Sequence, residues 1–254
     1  MTMLGLPIDI EALRYPRGPM AVVTGASGAL GAEITRQLIA RDVFVVATYR
    51  TRPPVERPKG SLWERFDAAD PATANRLRLV TEDLPHRLES VFACAGAPSS
   101  KKTVADTEPG EFEEVYQANV VSFTAAWRAV AARARYDGAS VLAVGSDAGR
   151  AARAGNGPYS AAKAALEAVV VTLAKEEANH RVRVNLAAPS LIESPLARKV
   201  MAAKGVTDPD TYLASLPWGR PLALDEVAAA CIDLATARQW AYASGQVFPL
   251  QAAT

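Results

Sequence analysis

The stretch Ala21-Val22-Val23-Thr24-Gly25-Ala26-Ser27-Gly28-Ala29-Leu30-Gly31 decides how the chain is read. A short apolar run enters a turn of small residues, and the turn opens directly into an amphipathic segment, 32–40. The side chains at Gly25, Ser27, Ala29, Leu30 and Gly31 leave little bulk near the backbone, apart from Leu30. A helix starting here offers free N–H groups and partial positive charge to an anion. A pyrophosphate fits such a turn. A tight strand-to-helix connection with no ligand fits it equally well, so the surrounding order of elements has to weigh in.

Outward from that turn, short runs rich in Val, Ile or Leu recur at 21–24, 43–48, 91–94, 140–144, 182–186 and 247–250. Ala-rich stretches of helical period lie between them, at 29–40, 71–82, 110–135, 158–179 and 225–237. The alternation predicts βαβ units. Runs that are apolar throughout, rather than at every second residue, predict strands buried on both faces. The fold class expected is therefore α/β, a doubly wound parallel sheet in a single domain. Residues 51–60 hold three prolines and read as a loop. Residues 189–224 mix Pro, Gly and scattered apolar side chains, and predict a lid over a site. Residues 1–18 stand outside this alternation as an N-terminal extension, leaving 19–254 as the domain.

Composition excludes several classes. The 254 residues carry a net charge of +1, which supplies no field for gathering nucleic acid or an anionic membrane surface. Two cysteines and two histidines, without metal-ligand spacing, predict no disulfide framework and no metal site. No run of apolar residues is long enough to span a bilayer, and the early charges Asp9, Glu11 and Arg14 do not suit a signal peptide. A cytoplasmic protein is expected.

The second strand ends Ala47-Thr48-Tyr49-Arg50-Thr51-Arg52, where dinucleotide-binding sheets usually present a carboxylate to the adenosine ribose. Here Arg50 stands instead, with Ser27, Thr51 and Arg52 near in the pattern. A forked guanidinium suits a 2′-phosphate, which favours NADP(H) over NAD. An exposed pair of solvated arginines is the plainer reading. Further on, Tyr159 and Lys163 are four apart and share one face of a helix. Ser146 lies just past the carboxyl end of the 140–144 run, the edge at which parallel sheets bind ligands.

Together these motifs resemble the short-chain dehydrogenase/reductase family, over about residues 20–250. The turn from Thr24 to Gly31 matches the family's TGxxx[AG]xG pattern. Ser146 precedes Tyr159 by the family's usual interval, and Tyr159 with Lys163 forms its YxxxK pair. The resemblance implies a Rossmann fold and a catalytic set of Asn119, Ser146, Tyr159 and Lys163. It further implies that Asp67 contacts adenine, that Ala95 and Gly96 border the cofactor, and that Pro189, Ile192 and Ser194 hold the nicotinamide end. Tyr159 would be the general acid, its acidity raised by Lys163 and by the cofactor's positive ring, and Tyr159 and Lys163 would also contact the cofactor, Lys163 through the nicotinamide ribose. Asn119 would hold a water that serves Lys163.

The function implied is NADPH-dependent reduction of a ketone, small or tethered to a carrier protein, with β-ketoacyl or polyketide-type groups as the model. Oxidation of a secondary alcohol is the same chemistry reversed, and a non-catalytic dinucleotide-binding scaffold is the alternative class. The arginines at 128, 133, 135, 150 and 153 are candidates for meeting an anionic carrier-protein phosphopantetheine or a free carboxylate, solvated surface charge being the plainer reading. A homodimer or homotetramer built through the 110–135 and 158–179 helices is also implied. The sequence departs from the family's pattern at Ala93-Cys94, where Asn-Asn is usual, and at Gly145 and Ser190. It also lacks the terminal glycine pair.

Overall fold

The computed structural model describes residues 18–194, 197, 198, 201, 202 and 205–251. Residues 1–17 of the extension expected at 1–18, the lid positions Leu196 and Val200, and residues 252–254 lie outside the described residues.

Seven strands form one parallel sheet: β1 (Pro19–Thr24), β2 (Phe44–Tyr49), β3 (Ser61–Arg65), β4 (Arg87–Ala93), β5 (Ser140–Val144), β6 (Arg183–Pro189) and β7 (Val247–Leu250). Their order is β3-β2-β1-β4-β5-β6-β7, with Val22 paired to Val46 on one side and to Val91 on the other. The chain begins in the middle, winds out to β3, then returns past β1 to build the other half. The reversal between β1 and β4 opens a crevice at the strands' carboxyl ends, because the following connections leave to opposite sides there. This is the doubly wound α/β fold that the alternating apolar runs predict.

Successive side chains of a strand point to opposite faces, and β1 shows the result. Met20 and Val22 join one buried layer with Leu77 of α2 (Pro71–Asp83), Val130 of α4 (Ser122–Asp137) and Leu166 of α6 (Gly157–Glu176), which follows the short α5 (Ala148–Ala151). Ala21 and Val23 join the other, with Ile34 and Leu38 of α1 (Ala29–Ile39) and Ile232 of the Leu224–Thr236 helix. Each such aliphatic side chain contributes about 1.5–3 kcal/mol on leaving water. Asn185 ties the far edge of the sheet, donating to the Ala243 carbonyl at 2.7 Å and accepting from Gln246 N at 2.9 Å.

Two elements differ from the sequence reading. β3 has no continuous apolar run: in Ser61-Leu62-Trp63-Glu64-Arg65 only Trp63 is fully covered, because an edge strand is shielded less. The helix read at 110–135 is three pieces, α3 (Pro109–Tyr116), a π-helical turn (Gln117–Val121) and α4. The Asn119 side-chain amide donates to the Val115 carbonyl at 2.8 Å, the acceptor that a regular α-helix would pair with the Asn119 backbone N–H.

The arginines proposed from sequence to meet an anionic partner are largely committed inside the fold. Arg133 binds Asp137 at 2.6 Å and the carbonyls of Thr81, Leu84 and His86. Arg135 makes a two-point contact with the Glu177 carboxylate, 1% exposed, and holds it below the usual carboxylate range. Arg150 is paired with Glu167 at 2.9 Å. Arg133, its side chain 15% exposed, spends its donors on that carboxylate and those carbonyls, whereas Arg135 and Arg150 are ion-paired but keep exposed guanidinium surface. Among the described residues, no helix is long and apolar enough to cross a membrane, and no His, Cys, Asp and Glu cluster suits a metal ion.

His86 is buried against Phe44, with ring centroids 4.6 Å apart, and neither ring nitrogen has a hydrogen-bond partner. Burial, with Arg133 adding to it, pulls its pKa below the ordinary 6.5. The folded chain therefore binds fewer protons here than the unfolded chain. Stability present above pH 6.5 is lost as the pH falls towards the lowered folded value. We expect thermal melts from neutral pH downwards to show this loss, at no more than about 1.4 kcal/mol per pH unit from this one group. His86→Leu should flatten that limb; an unchanged slope would clear His86 of the effect.

Candidate active site

A cleft of about 850 Å³ lies over the carboxyl ends of β1, β4, β5 and β6. Its floor is the glycine turn. Gly25 adopts φ +67°, and a Cβ there would sit 2.8 Å from Ala95 N. At Gly31 a Cβ would lie 2.4 Å from the Gly25 carbonyl oxygen, so the helix can approach the turn this closely only without a side chain. The start of α1 has no side-chain cap and no acidic residue in its first turn. Its opening N–H groups are thus left for a ligand, and the helix end is positive. Gly25, Gly28, Ala29, Leu30 and Gly31 all line the cleft. An anionic pyrophosphate fits this cradle by both space and charge.

Thr48, which sequence reading did not single out, latches the turn: its hydroxyl accepts from Gly25 N at 3.2 Å. Ser27 is exposed between the lining residues of the turn. Arg50 and Thr51 are exposed just past the end of β2, and no carboxylate stands at that strand end. Asp67 follows β3, where its carboxylate accepts from Ala69 N at 3.1 Å and lies 3.7 Å from Arg65. Ser27, Arg50, Thr51, Asp67 and Ala95 are not among the residues lining the cleft, whereas Gly96, Pro189, Ile192 and Ser194 are.

The four residues of the expected catalytic set come together on the cleft wall. Lys163 is 4% exposed, and its ammonium donates to the Val144 carbonyl at 2.9 Å. Burial lowers its pKa to about 8. Lys163 Nζ is 5.6 Å from the centroid of the Tyr159 ring. Asn119 donates to the Ala97 and Val115 carbonyls at 2.9 and 2.8 Å, while its buried Oδ1 has no partner in the protein. A Cβ at Gly96 would stand 2.6 Å from that Oδ1 and 3.6 Å from Lys163 Nζ, so both face the space beside Gly96.

Ser146 donates to Asp147 Oδ1 and accepts from Ala148 N, each at 3.2 Å. It also lies close to the Tyr159 phenol. Burial pushes the Tyr159 phenol above its ordinary pKa, Asp147 adds to the rise, and the Ser146 contact opposes it. Desolvation outweighs the Ser146 contact here, and the acidity expected from Lys163 together with a bound cofactor's positive ring belongs to the proposed mechanism. Asp147 is itself paired with Arg153 at 2.6 Å.

Gly145, a departure from the family's serine, has a local cause. A Cβ there would meet the Leu186 side chain at 2.4 Å, so Leu186 fills the volume a serine would need.

The segment expected as a lid leaves and returns at one place. Ile192 bridges to Leu222, with Leu222 N donating to Leu191 O at 2.9 Å and Glu193 N to Leu222 O at 2.8 Å. Between them a helix, Pro209–Ala214, is capped by Asp208 through Asp210 N and Thr211 N. Tyr212, Leu216 and Trp218 reach the cleft from this excursion.

A glycine-turn cradle stands beside a Ser, Tyr and Lys group at the switch point, an arrangement that suits hydride transfer between a nicotinamide dinucleotide and a C–OH or C=O group. A family model for the short chain dehydrogenases matches residues 19–205, and the chain belongs to that family. It is 30% identical over 252 residues to the rhamnolipids biosynthesis 3-oxoacyl-(acyl-carrier-protein) reductase of Pseudomonas aeruginosa, covering 92% of this chain and 94% of the relative. An uncharacterized short-chain type dehydrogenase/reductase of Sinorhizobium fredii is 28% identical over 234 residues. That match takes in 90% of this chain but only 42% of the relative's length. Among solved structures, a 3-ketoacyl-(acyl-carrier-protein) reductase from Brucella melitensis complexed with NADH has a similar fold. Its TM-score is 0.82 at 22% identity, covering 92% of this chain and 96% of that one.

Gly31→Ala places a methyl against the Gly25 carbonyl and should open the turn. We expect a stability loss of about 1–3 kcal/mol and at least about tenfold weaker dinucleotide binding by calorimetry. Unchanged affinity would separate the close approach at Gly31 from the nucleotide cradle.

Proposed function

We propose that this protein reduces a ketone to a secondary alcohol with NADPH, Tyr159 serving as general acid. The observation that carries the reading is the convergence of Ser146, Tyr159, Lys163 and the unpartnered Asn119 Oδ1 on one cleft floored by an uncapped helix start. The dinucleotide, when bound, supplies the hydride. The chain's own residues handle the oxygen end. Ser146 donates to the substrate oxygen and orients it, stabilising the negative charge that builds there. Tyr159 gives its phenolic proton to the same oxygen. Lys163 offsets the resulting phenolate charge, and Asn119 Oδ1 holds a water from which the proton is replaced.

Preference for NADPH rests on Arg50 and on the lack of a carboxylate at the end of β2. Arg50 would pair with the 2′-phosphate, assisted by Ser27 or Thr51, while Asp67 would meet the adenine. Pro189, Ile192 and Ser194 would hold the nicotinamide end opposite Gly96. The substrate proposed is a β-ketoacyl type ketone, small or carrier-tethered. The apolar Leu191, Ile192, Leu216 and Trp218 around the cleft suit an acyl chain, and the Pseudomonas relative is named for a 3-oxoacyl carrier substrate. Assembly as a homodimer or homotetramer through α4 and α6, and a cytoplasmic location, complete the proposal.

NADPH consumption over a panel of β-keto esters and acetoacetyl thioesters tests the activity. Tyr159→Phe should lower kcat by about two to four orders of magnitude while the melting temperature holds. A folded Phe variant with full turnover would falsify the mechanism, and tight NADPH binding without turnover on any ketone would favour a scaffold. Arg50→Asp should raise the KM for NADPH at least about tenfold, the size of one charge-assisted contact, and leave that for NADH nearly unchanged. Equal effects on both would remove the 2′-phosphate role.

A further inference from the structure

The loop after β4 brings a second ammonium to the phenol, one that the motif reading does not use. Lys101 Nζ lies 5.6 Å from the Tyr159 ring centroid, the same distance as Lys163 Nζ, and Lys101 lines the same cleft. Several features fix it there. Its ammonium donates to Oδ1 of Asn156, a residue 7% exposed at the start of α6. That oxygen also accepts from Ser99 Oγ at 3.4 Å, and Asn156 Nδ2 donates to Ser160 Oγ at 3.2 Å. Gly155 has φ +68°, and a Cβ there would come within 2.8 Å of the Lys101 carbonyl, so the loop seats only against a glycine. Lys101 itself holds φ 72°, a left-handed conformation unfavourable to any residue with a side chain.

We propose that Lys101, docked on Asn156, is a positioning residue that joins Lys163 in stabilising the Tyr159 phenolate. The inference rests on the reductase reading for the use to which that phenolate is put. The need for a second cation follows from the surroundings. Burial and Asp147 both work against the charged phenol, and burial also weakens the hold of Lys163 on its own proton.

The groups around Tyr159 come from four elements. Lys163 lies on α6, with Cys94 beside it at the end of β4. Lys101 comes from the loop after β4. Ser146 and Asp147 follow β5, Asp147 being partly neutralised by Arg153. Tyr212 stands near Arg153 from the excursion. A unit charge about 6 Å from a phenol shifts its titration by about half a unit in water-like screening, and by up to about two units where screening is weaker.

The test reads the phenol directly. In full-length protein carrying tyrosine labelled with carbon-13 at Cζ, Tyr159→Phe identifies the resonance, which is then titrated from about pH 6 to 11, spanning the ordinary tyrosine value. Lys101→Gln keeps a donor for Asn156 but removes the charge, and should raise the Tyr159 midpoint by at least about half a unit. Lys101→Met should do the same, and Lys101→Arg should bring the midpoint back towards that of the unaltered protein. The pH profile of ethyl acetoacetate reduction should move by the same amount. A midpoint unchanged in Lys101→Gln, a failure of Lys101→Arg to restore it, or a phenol still protonated at the top of the range in the unaltered protein would each overturn the proposal. The titration needs no turnover. A chain that reduces no ketone would therefore sink the proposed activity while leaving this reading decisive.

Discussion

Everything at the cleft answers to one awkward requirement, an ammonium held almost fully out of water. Isolating such a charge costs several kcal/mol unless dipoles replace the lost solvent. Lys163 meets the requirement by donating to the Val144 carbonyl at the end of β5, so the strand that carries Ser146 into the cleft also anchors the lysine opposite it. Removing that carbonyl from its place would strand the charge. The position of β5 between β4 and β6 thus serves the proposed chemistry as well as the core.

The same economy of backbone appears at the π-helical turn. One irregular turn in the helix pair α3 and α4 rotates Asn119 so that its amide is spent on two carbonyls and its oxygen is aimed, unpartnered, at the space beside Gly96. A regular helix there would pair Val115 with a backbone N–H and leave the Asn119 side chain elsewhere on the surface of the cylinder. Strain and irregularity recur on this side of the molecule, at Lys101, Ala152, Gly155 and Trp218, all with positive φ and, Ala152 apart, all lining the cleft. Within the strands no described residue has a positive φ, although the β1–β4 register shifts between Met20 and Ala21.

Much of this was legible from residue types. Continuous apolar runs gave six of the seven strands to within a few residues, because a strand covered on both faces must be apolar throughout. Ser61 to Arg65 was not legible, since an edge strand needs only Trp63 buried. The fate of the arginines was hidden too. Nothing local distinguishes Arg133 and Arg135, which serve buried carbonyls and a buried carboxylate, from solvated arginines on the same helix. Those carbonyls and that carboxylate lie 42 or more residues away, Asp137 alone being local to Arg133. Thr48 and Asn156 escaped notice for the same reason.

The order of strand, glycine turn and helix, and the spacing of Ser146, Tyr159 and Lys163, follow from the amino acids alone, because they express local geometry: helix period, backbone clearance, alternation of elements. What the chain could not reveal one residue at a time is how charges are offset once water is gone. That Tyr159 is made less acidic by burial, that Lys163 is held by a strand-end carbonyl, and that Lys101 arrives beside them by way of Asn156 are all consequences of distant segments meeting in a medium of low polarity. Desolvation is a property of the packed neighbourhood, and only the tertiary structure supplies the neighbourhood.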